Sequence, residues 1–283
     1  MAVRTVDAAE ITAAIEQMCV SANCRLPEVN LRRLEEAIAV EKSPLGRSIL
    51  GRLLQNHRLA GEQMVPACQD TGLAVVFAEI GQDVHITREA FESAVDEGVR
   101  RGYTLGHLRK SSVCDPLFDR RNTGDNTPAV LHVRLVPGDK IRLTLAPKGG
   151  GAENMSAVRM LTPSDGVEGV ISFAVETVSK AGPSACPPIV AGIGIGGTFD
   201  MVTVLAKSAL MRRMGDRNPD PRYAELEERI LIKLNELGIG PQGFGGSTTA
   251  LAVHIEARPC HIASLPVAVN LNCHVSPHET RTI

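Results

Sequence analysis

A thiol, an amide, a carboxylate and a hydroxyl follow one another in the segment Cys68-Gln69-Asp70-Thr71. Pro66 stiffens the backbone before this segment, and Gly72 permits a tight turn after it. The apolar run that begins at Leu73 predicts a strand. A thiol beside a carboxylate at the mouth of a strand suggests a functional site. An isolated cysteine in such a place is also often a small buried hydrophobe, so this segment alone leaves both interpretations open.

The cysteines of the chain are odd in number and widely spaced: Cys19, Cys24, Cys68, Cys114, Cys186, Cys260 and Cys273. Three of them lie at predicted strand edges, beside a proline or a polar turn, and could meet where three strands end: Cys68, Cys186 and Cys273. No Cys-x-x-Cys pair occurs, which argues against a zinc ribbon or a ferredoxin framework. Three scattered thiolates suit a cubane iron-sulfur cluster with one iron left without a protein ligand. Such an iron can act as a Lewis acid.

Two further polar segments could bind an anion. Arg109 could hold a carboxylate through two parallel hydrogen bonds, although its spacing alone favours a solvated surface arginine. Lys148 is followed by three glycines, and a helix predicted to begin at Met155 would add its positive end. The Walker order of residues is absent, so carboxylate is favoured over phosphate, and a flexible turn is the alternative.

The glycines Gly192, Gly194 and Gly197 match the dinucleotide-binding fingerprint between a predicted strand and a predicted helix. That fingerprint requires a second strand with an acidic residue at its end. The chain instead continues as a polar loop over residues 212–221. These glycines are therefore predicted to allow close packing of the helix on the strand, and nicotinamide binding is disfavoured.

Composition limits the class of protein. The chain has 283 residues, of which 43% are hydrophobic and only 3% aromatic, so the core must be built from Val, Leu, Ile and Ala. The formal charge of -2 shows no footprint for nucleic acid or anionic membranes. No apolar stretch is long enough for a membrane span, and the first ten residues lack a signal-peptide core. We expect a cytoplasmic protein whose cysteines are thiols.

The predicted fold class is α/β or α+β, with mixed β-sheets flanked by helices and a helical amino-terminal segment. We predict a single domain over residues 1–283, with helices in 1–62 and an α/β body in 63–283 that carries the site. The strands 130–136 and 140–146 are predicted to pair as a hairpin. The other predicted helices are 8–19, 30–40, one that opens at Ser43-Pro44, 87–101, 166–181, 199–211 and 223–237, and the other strands are 73–80, 189–193, 250–256 and 267–271. No element is predicted after Cys273.

Five motifs, taken in order, resemble the class I iron-sulfur fumarate hydratases, and specifically their alpha subunit or amino-terminal half. The motifs are Cys68 to Gly72, Asn122-Thr123-Gly124, Lys148 to Gly151, Ala185-Cys186-Pro187-Pro188, and Pro259 to Cys273. The alpha subunit of L(+)-tartrate dehydratase shares most of this skeleton. The segment 148–156 resembles the fumarase branch more, whereas 217–219 and 240–243 occur in similar form in the tartrate branch, so both substrates stay open.

The resemblance implies roles for individual residues. The cluster ligands of a 4Fe-4S cluster would be Cys68, Cys186 and Cys273. Cys260 is not among them, because it precedes the residue that matches the family's histidine, His261. The residues at positions that surround a bound dicarboxylate in relatives are Gln69, Asp70, Arg109, Gly151 and His261. Two of these, Asp70 and His261, are the candidates for positioning or proton transfer in catalysis.

The implied activity is the reversible hydration of fumarate to L-malate, a step of the tricarboxylic acid cycle. In the dehydration direction, a base would remove a proton from carbon, and the resulting carbanion would expel a hydroxide held by the open iron; hydration is the reverse. Single-chain relatives carry more substrate-binding residues in a carboxyl-terminal domain that has no counterpart here. We therefore expect a separate beta subunit, a hetero-oligomer, and little activity of this chain alone. The alternatives are conversion of tartrate to oxaloacetate, and a regulatory module that binds a cluster or nucleotide without catalysis.

Overall fold

The computed structural model describes residues 3–275 and 277–283. The strands in this part of the chain are β1 (Arg4–Asp7), β2 (Leu73–Gly81), β3 (Val84–Thr87), β4 (Val130–Val136), β5 (Ile141–Lys148), β6 (Ala157–Leu161), β7 (Ile189–Gly196), β8 (Ala250–Arg258), β9 (Leu265–Asn272) and β10 (Glu279–Thr282). The α-helices are α1 (Ala8–Cys24), α2 (Glu28–Val40), α3 (Pro44–Gln63), α4 (Phe91–Leu105), α5 (Gly150–Asn154), α6 (Gly166–Ala181), α7 (Phe199–Ala209) and α8 (Pro221–Glu236). The predicted mixed α/β class with a helical amino-terminal segment is confirmed.

The chain groups into two compact units. The first unit contains Met1–Leu26, His57–Gly150 and Pro277–Ile283, and the second contains Pro27–Asn56 and Gly151–Ser276. Each unit thus takes part of the amino-terminal helical segment. The single domain with a helical segment up to residue 62 stays a prediction. No helix in the described residues is long and apolar enough to cross a membrane.

The first unit is built on a sheet with the order β10-β5-β2-β4. Helix α1 begins at a capping box, in which Asp7 accepts the backbone N–H of Ala9 and Glu10 accepts that of Asp7. Its apolar face packs against α4 so closely that a side chain at Gly98 or Gly102 would overlap α1. The buried core combines these helices with β2 and β5, whose inward residues are aliphatic, as the composition predicts.

The predicted hairpin of residues 130–146 is wrong. Strand β2 lies between β4 and β5, parallel to β4 and antiparallel to β5. Alternation and a short turn are local signals, and they do not show that a third strand inserts between two that are consecutive in sequence. Because of this order and these strand directions, the segment before β2, the segment before β4 and the segment after β5 all lie at one edge of the sheet.

The second unit is built on a sheet with the order β6-β9-β7-β8. All eight residues of β7 are buried, and the strand runs parallel to β8 and antiparallel to β9. A Cβ on Gly192 would lie 2.2 Å from the Ala206 carbonyl oxygen, and one on Gly194 would lie 2.2 Å from that of Val202. The glycines of β7 therefore let α7 pack directly on the strand, as the sequence analysis predicts.

The sequence predictions for the helices and strands failed at three other places. Residues 155–161 do not form a helix, since α5 covers only Gly150–Asn154 and a strand follows it. Helix α4 begins at Phe91, because Val84–Thr87 forms a strand parallel to β1. The last residues form β10, which pairs antiparallel with β5. In each case the strand is short and is stabilised by a partner distant in sequence, which local pattern does not reveal.

Candidate functional site

The Cys68 turn, residues 68–72, precedes β2 in the first unit. Asp70 accepts the backbone N–H of Gly72 through Oδ1 at 3.1 Å and that of Gly150 through Oδ2 at 2.9 Å. The Cys68 sulfur accepts the backbone N–H of Asp70 at 3.4 Å. Gly72 has a φ of 64°, and a Cβ there would lie 2.4 Å from the Lys148 carbonyl carbon. The turn therefore needs both its carboxylate and its glycine, and it leaves Cys68 exposed.

Two buried side chains hold the end of the Cys68 turn. The Tyr103 hydroxyl donates to the carbonyl oxygens of Thr71 and Gly72 at 2.9 and 3.1 Å, and its burial raises the phenol pKa, which keeps it a neutral donor. Asn126, which is fully buried, donates from Nδ2 to the Gly72 carbonyl oxygen and accepts the backbone N–H of Ser111 through Oδ1 at 2.6 Å. Asn126 thus joins this turn to the loop before β4.

The loop before β4 and the segment after β5 bring further predicted residues to the same sheet edge. The Thr71 hydroxyl donates to the carbonyl oxygen of Arg109, whose side chain is exposed. Lys148 is 4% exposed at the end of β5, opposite Leu73. The first unit therefore assembles Cys68, Asp70, Arg109 and the Lys148–Gly150 segment at one edge, with Gln69 exposed in the turn. Gly151, the next residue, is the second residue of α5.

Cys186 and Cys273 lie at one edge of the sheet of the second unit. Cys186 follows a short 3-10 helix (Gly182–Ala185) and precedes β7, while Cys273 directly follows β9. Because β7 and β9 are antiparallel and Val190 pairs with Asn272, the start of β7 and the end of β9 coincide. Cys186 is exposed and Cys273 is half-buried. Cys186 and Cys273 therefore leave the same edge of this sheet, while the meeting of the three thiols stays a prediction.

His261 lies at the opposite edge of that sheet. It belongs to the loop between β8 and β9, and the last residue of β8, Arg258, pairs with Gly196 at the end of β7. A strand the length of β7 separates its ends by about 20 Å or more. The exposed His261 ring accepts the Ala263 backbone N–H through Nδ1 at 3.1 Å. The second unit by itself therefore does not bring His261 together with Cys186 and Cys273.

The donor chemistry of the three cysteines fits an iron-sulfur cluster, although the thiols do not form a ready-made metal group. In residues 3–275 and 277–283, no three His, Cys, Asp or Glu side chains are close enough together to hold a metal ion. All seven cysteines are thiols, and Cys68 and Cys186 present theirs to solvent from turns. Cysteine thiolates are the ligands that such clusters use, and exposed thiols are accessible for them. The two buried cysteines, Cys19 and Cys24, have pKa values raised by burial and do not fit this role.

Comparison with known proteins gives one family. A family model described as fumarate hydratase (Fumerase) matches residues 12–282. The chain belongs to this family. A relative from Methanocaldococcus jannaschii, named provisionally as an L(+)-tartrate dehydratase subunit alpha, is 43% identical over 253 residues, which cover 88% of this chain and 88% of the relative. The L(+)-tartrate dehydratase subunit alpha of Escherichia coli (strain UTI89 / UPEC) is 33% identical over 268 residues, which cover 93% of this chain and 88% of the relative. The resemblance inferred from the five motifs is therefore confirmed.

Several residues that shape the site carry no chemical signal in the sequence. Tyr103 reads as one more apolar position of an amphipathic helix, and Asn126 as one polar residue in a turn-rich run. Glu41 follows α2 and is 2% exposed, although nothing around it suggests burial. The one available signal was the density of Asn, Asp and Gly in residues 122–128, which predicts side-chain-to-backbone bonding but not its partner.

Proposed function

We propose that this chain is the alpha subunit of an iron-sulfur hydro-lyase that catalyses the reversible hydration of fumarate to L-malate. The observation that carries the proposal is the match to the fumarate hydratase family across residues 12–282. The accessible thiols and the carboxylate-bearing turn beside Lys148 supply the side chains that this chemistry needs. A regulatory module without catalysis is disfavoured, because it would not need this set of polar groups at one sheet edge.

The proposed cofactor is a 4Fe-4S cluster with Cys68, Cys186 and Cys273 as its protein ligands. Three cysteines leave one iron without a protein ligand, and when bound such a cluster supplies a Lewis acid for the substrate's hydroxyl group. The thiols must be deprotonated to bind, so loading of the chain releases protons and weakens as pH falls.

The remaining residues bind and orient the dicarboxylate in this proposal. Arg109 presents a fork of donors that matches a carboxylate, and Gln69 offers an amide at the same sheet edge. Apart from the N–H group of Gly150, which donates to Asp70, the backbone N–H groups after Lys148 can approach an anion closely because the three residues that follow are glycines. Asp70 keeps its carboxylate fixed by the N–H groups of Gly72 and Gly150, which suits a group that holds or moves a proton at a carbon of the substrate.

His261 stays a prediction as a catalytic residue. Its place at the edge opposite Cys186 and Cys273 means that it can serve a site at the cysteine edge only if a second copy of the chain supplies it. Its Nδ1 accepts a backbone N–H, so in the neutral ring Nε2 carries the proton and is the available donor.

The proposed partner is a beta subunit that carries the rest of the active site, because this chain matches proteins named as alpha subunits. The test is anaerobic reconstitution of the chain with iron and sulfide, followed by assay with fumarate or malate, alone and with a coexpressed beta subunit. We expect turnover only with the beta subunit. Turnover by the chain alone would contradict the division of the site.

A second test mixes two variants that are each inactive, His261→Ala and Cys186→Ser. Recovery of activity in the mixture would mean that His261 acts from a second copy of the chain.

The second candidate is dehydration of L(+)-tartrate to oxaloacetate. The names of the two relatives described above favour it. Tartrate differs from malate by one hydroxyl group, so a single hydrogen-bonding residue can decide between them. The same assay with tartrate as substrate distinguishes the two: a kcat/KM for tartrate above that for malate would make tartrate the substrate.

A further inference from the structure

We propose that Gln242 is a positioning residue for the Cys186 thiol, and that the loop Gly240–Thr249, anchored by Glu41, fixes this thiol for cluster binding. The inference rests on the proposed function, because it takes Cys186 as a cluster ligand. All of these residues lie within the second unit.

The Cys186 turn combines an unfavourable backbone conformation with two prolines. Cys186 has a φ of 52° and a ψ of 62°, a left-handed conformation that costs free energy in a residue with a Cβ. Its N–H donates to the Pro183 carbonyl oxygen at 2.9 Å. The next two residues, Pro187 and Pro188, have no N–H to donate. Donors from elsewhere in the chain therefore add to the support of this turn.

Gln242 provides these donors. Its backbone N–H donates to the Pro187 carbonyl oxygen at 2.7 Å, and its side-chain Nε2 donates to the same oxygen at 2.8 Å. Gln242 itself has a φ of 53°, so it is left-handed as well. Two residues in costly conformations thus meet at a single carbonyl group, next to the cysteine. Such an arrangement persists only where the surrounding structure enforces it.

The loop around Gln242 is shaped to fit the turn. A Cβ on Gly243 would lie 2.4 Å from the Pro183 Cβ, so the loop packs directly on the 3-10 helix before Cys186. A Cβ on Gly240 would lie 2.2 Å from the Gly245 carbonyl carbon, so the loop is also tight within itself. Its end returns to the sheet, where the Ile189 N–H donates to the Thr249 carbonyl oxygen at 2.9 Å.

Glu41 anchors the far side of the loop. This carboxylate is 2% exposed and accepts the backbone N–H groups of Ser247 and Thr248, each at 2.8 Å, and that of Ser43 at 2.9 Å. A Cβ on Gly246 would lie 2.7 Å from Glu41 Oε1, so only glycine allows the backbone this close. The contacts connect the start of α3, through the loop, to the carbonyl group that follows Cys186.

The experiment compares Gln242→Ala and Gln242→Glu with the unmodified full chain. The first variant removes one donor, and the second places a carboxylate oxygen against the Pro187 carbonyl oxygen. After anaerobic loading, we expect iron release to a chelator to accelerate about tenfold in Gln242→Ala and more in Gln242→Glu, as for the loss of one hydrogen bond. In the metal-free chain, hydrogen exchange at the Cys186 amide should accelerate by a similar factor.

Two control variants separate positioning from general stability. Gln55→Ala removes an exposed glutamine of α3 in the same unit and should leave both readouts unchanged. Ile230→Val shortens a fully buried side chain of α8 and should lower the melting temperature without changing iron release. Unchanged iron release and unchanged Cys186 exchange in both Gln242 variants would overturn the inference. If the unmodified chain takes up no cluster, the proposed function fails, while the exchange measurement still decides the role of Gln242.

Discussion

The turn that carries Cys68 and the turn that carries Cys186 present a thiol at a sheet edge in two different ways. The Cys68 turn contains its own closing side chain, because the Asp70 carboxylate accepts the N–H of Gly72, two residues later. The same carboxylate also accepts the N–H of the distant Gly150. The two residues that follow Cys186 are prolines, which have no N–H to donate, and the donors that support this turn come from Gln242. Both turns are supported by distant residues, but the Cys68 turn also closes on its own carboxylate, whereas the side-chain support of the Pro187 carbonyl group comes from Gln242, more than fifty positions away.

The difference explains what each turn can tolerate. A carboxylate within the Cys68 turn has two tasks, because the group that closes the turn is also the group proposed to handle a proton. In the Cys186 turn these tasks are separated, since the supporting residues carry no proposed chemistry. Substitutions near Cys68 should therefore affect turnover, and substitutions of the residues that support Cys186 should affect the retention of the cluster.

The largest effect should come from removing either thiol. Cys68→Ser and Cys186→Ser should each abolish stable cluster loading, because a serine hydroxyl is a much poorer ligand than a cysteine thiolate for the iron of such a cluster. Iron and sulfide per chain after anaerobic desalting measure this, with Cys260→Ser as the control that should load normally. Full loading of either variant would remove that cysteine from the ligand set.

A smaller effect should follow from Asp70→Asn. An asparagine can accept only through one oxygen, so one of the N–H groups of Gly72 and Gly150 loses its partner, and the negative charge is lost. We expect kcat with the beta subunit to fall about a hundredfold or more, the usual contribution of a positioned acid or base, while cluster content stays near that of the unmodified chain. Loss of the cluster in this variant would instead make Asp70 a structural support for Cys68.

The smallest effect should come from Glu41, which anchors the loop Gly240–Thr249 and whose contribution to stability depends on pH. Burial alone would raise the Glu41 pKa, but hydrogen bonds from Ser43, Ser247 and Thr248 outweigh it and lower the pKa to about 2. Because the folded pKa lies below the unfolded value, Glu41 contributes its full stability above about pH 4.5 and loses it as pH falls toward 2.

Glu41→Gln should therefore lower the free energy of unfolding by about 2 kcal/mol at neutral pH, as expected for lost charged hydrogen bonds. The difference between the two proteins should shrink as pH falls below about 4.5, which urea unfolding at a series of pH values measures. A difference that stays constant down to about pH 3 would show that the charge of Glu41 does not matter.

Much of the fold follows from local signals. Ser43 accepts the Gly46 N–H through its hydroxyl oxygen at 3.1 Å, as its place before Pro44 and α3 predicts. The glycines of β7 fit under α7 as predicted. The failures are those of pairing: β2 inserts between β4 and β5, and β10 joins β5. Pairing depends on which buried faces match across the whole chain, and a window of residues does not contain that information.

The sequence by itself determined the family, the thiols and the carboxylate turn, because these depend on residue types at short spacings that the chemistry requires. Cys68, Gln69 and Asp70 stand next to one another in any conformation. Only the tertiary structure decided that Cys186 and Cys273 leave the same sheet edge, that His261 leaves the opposite edge, and that Gln242 and Glu41 support a cysteine turn. These facts follow from strand direction and from hydrogen bonds between distant segments, which form only when the buried faces of the chain have packed together.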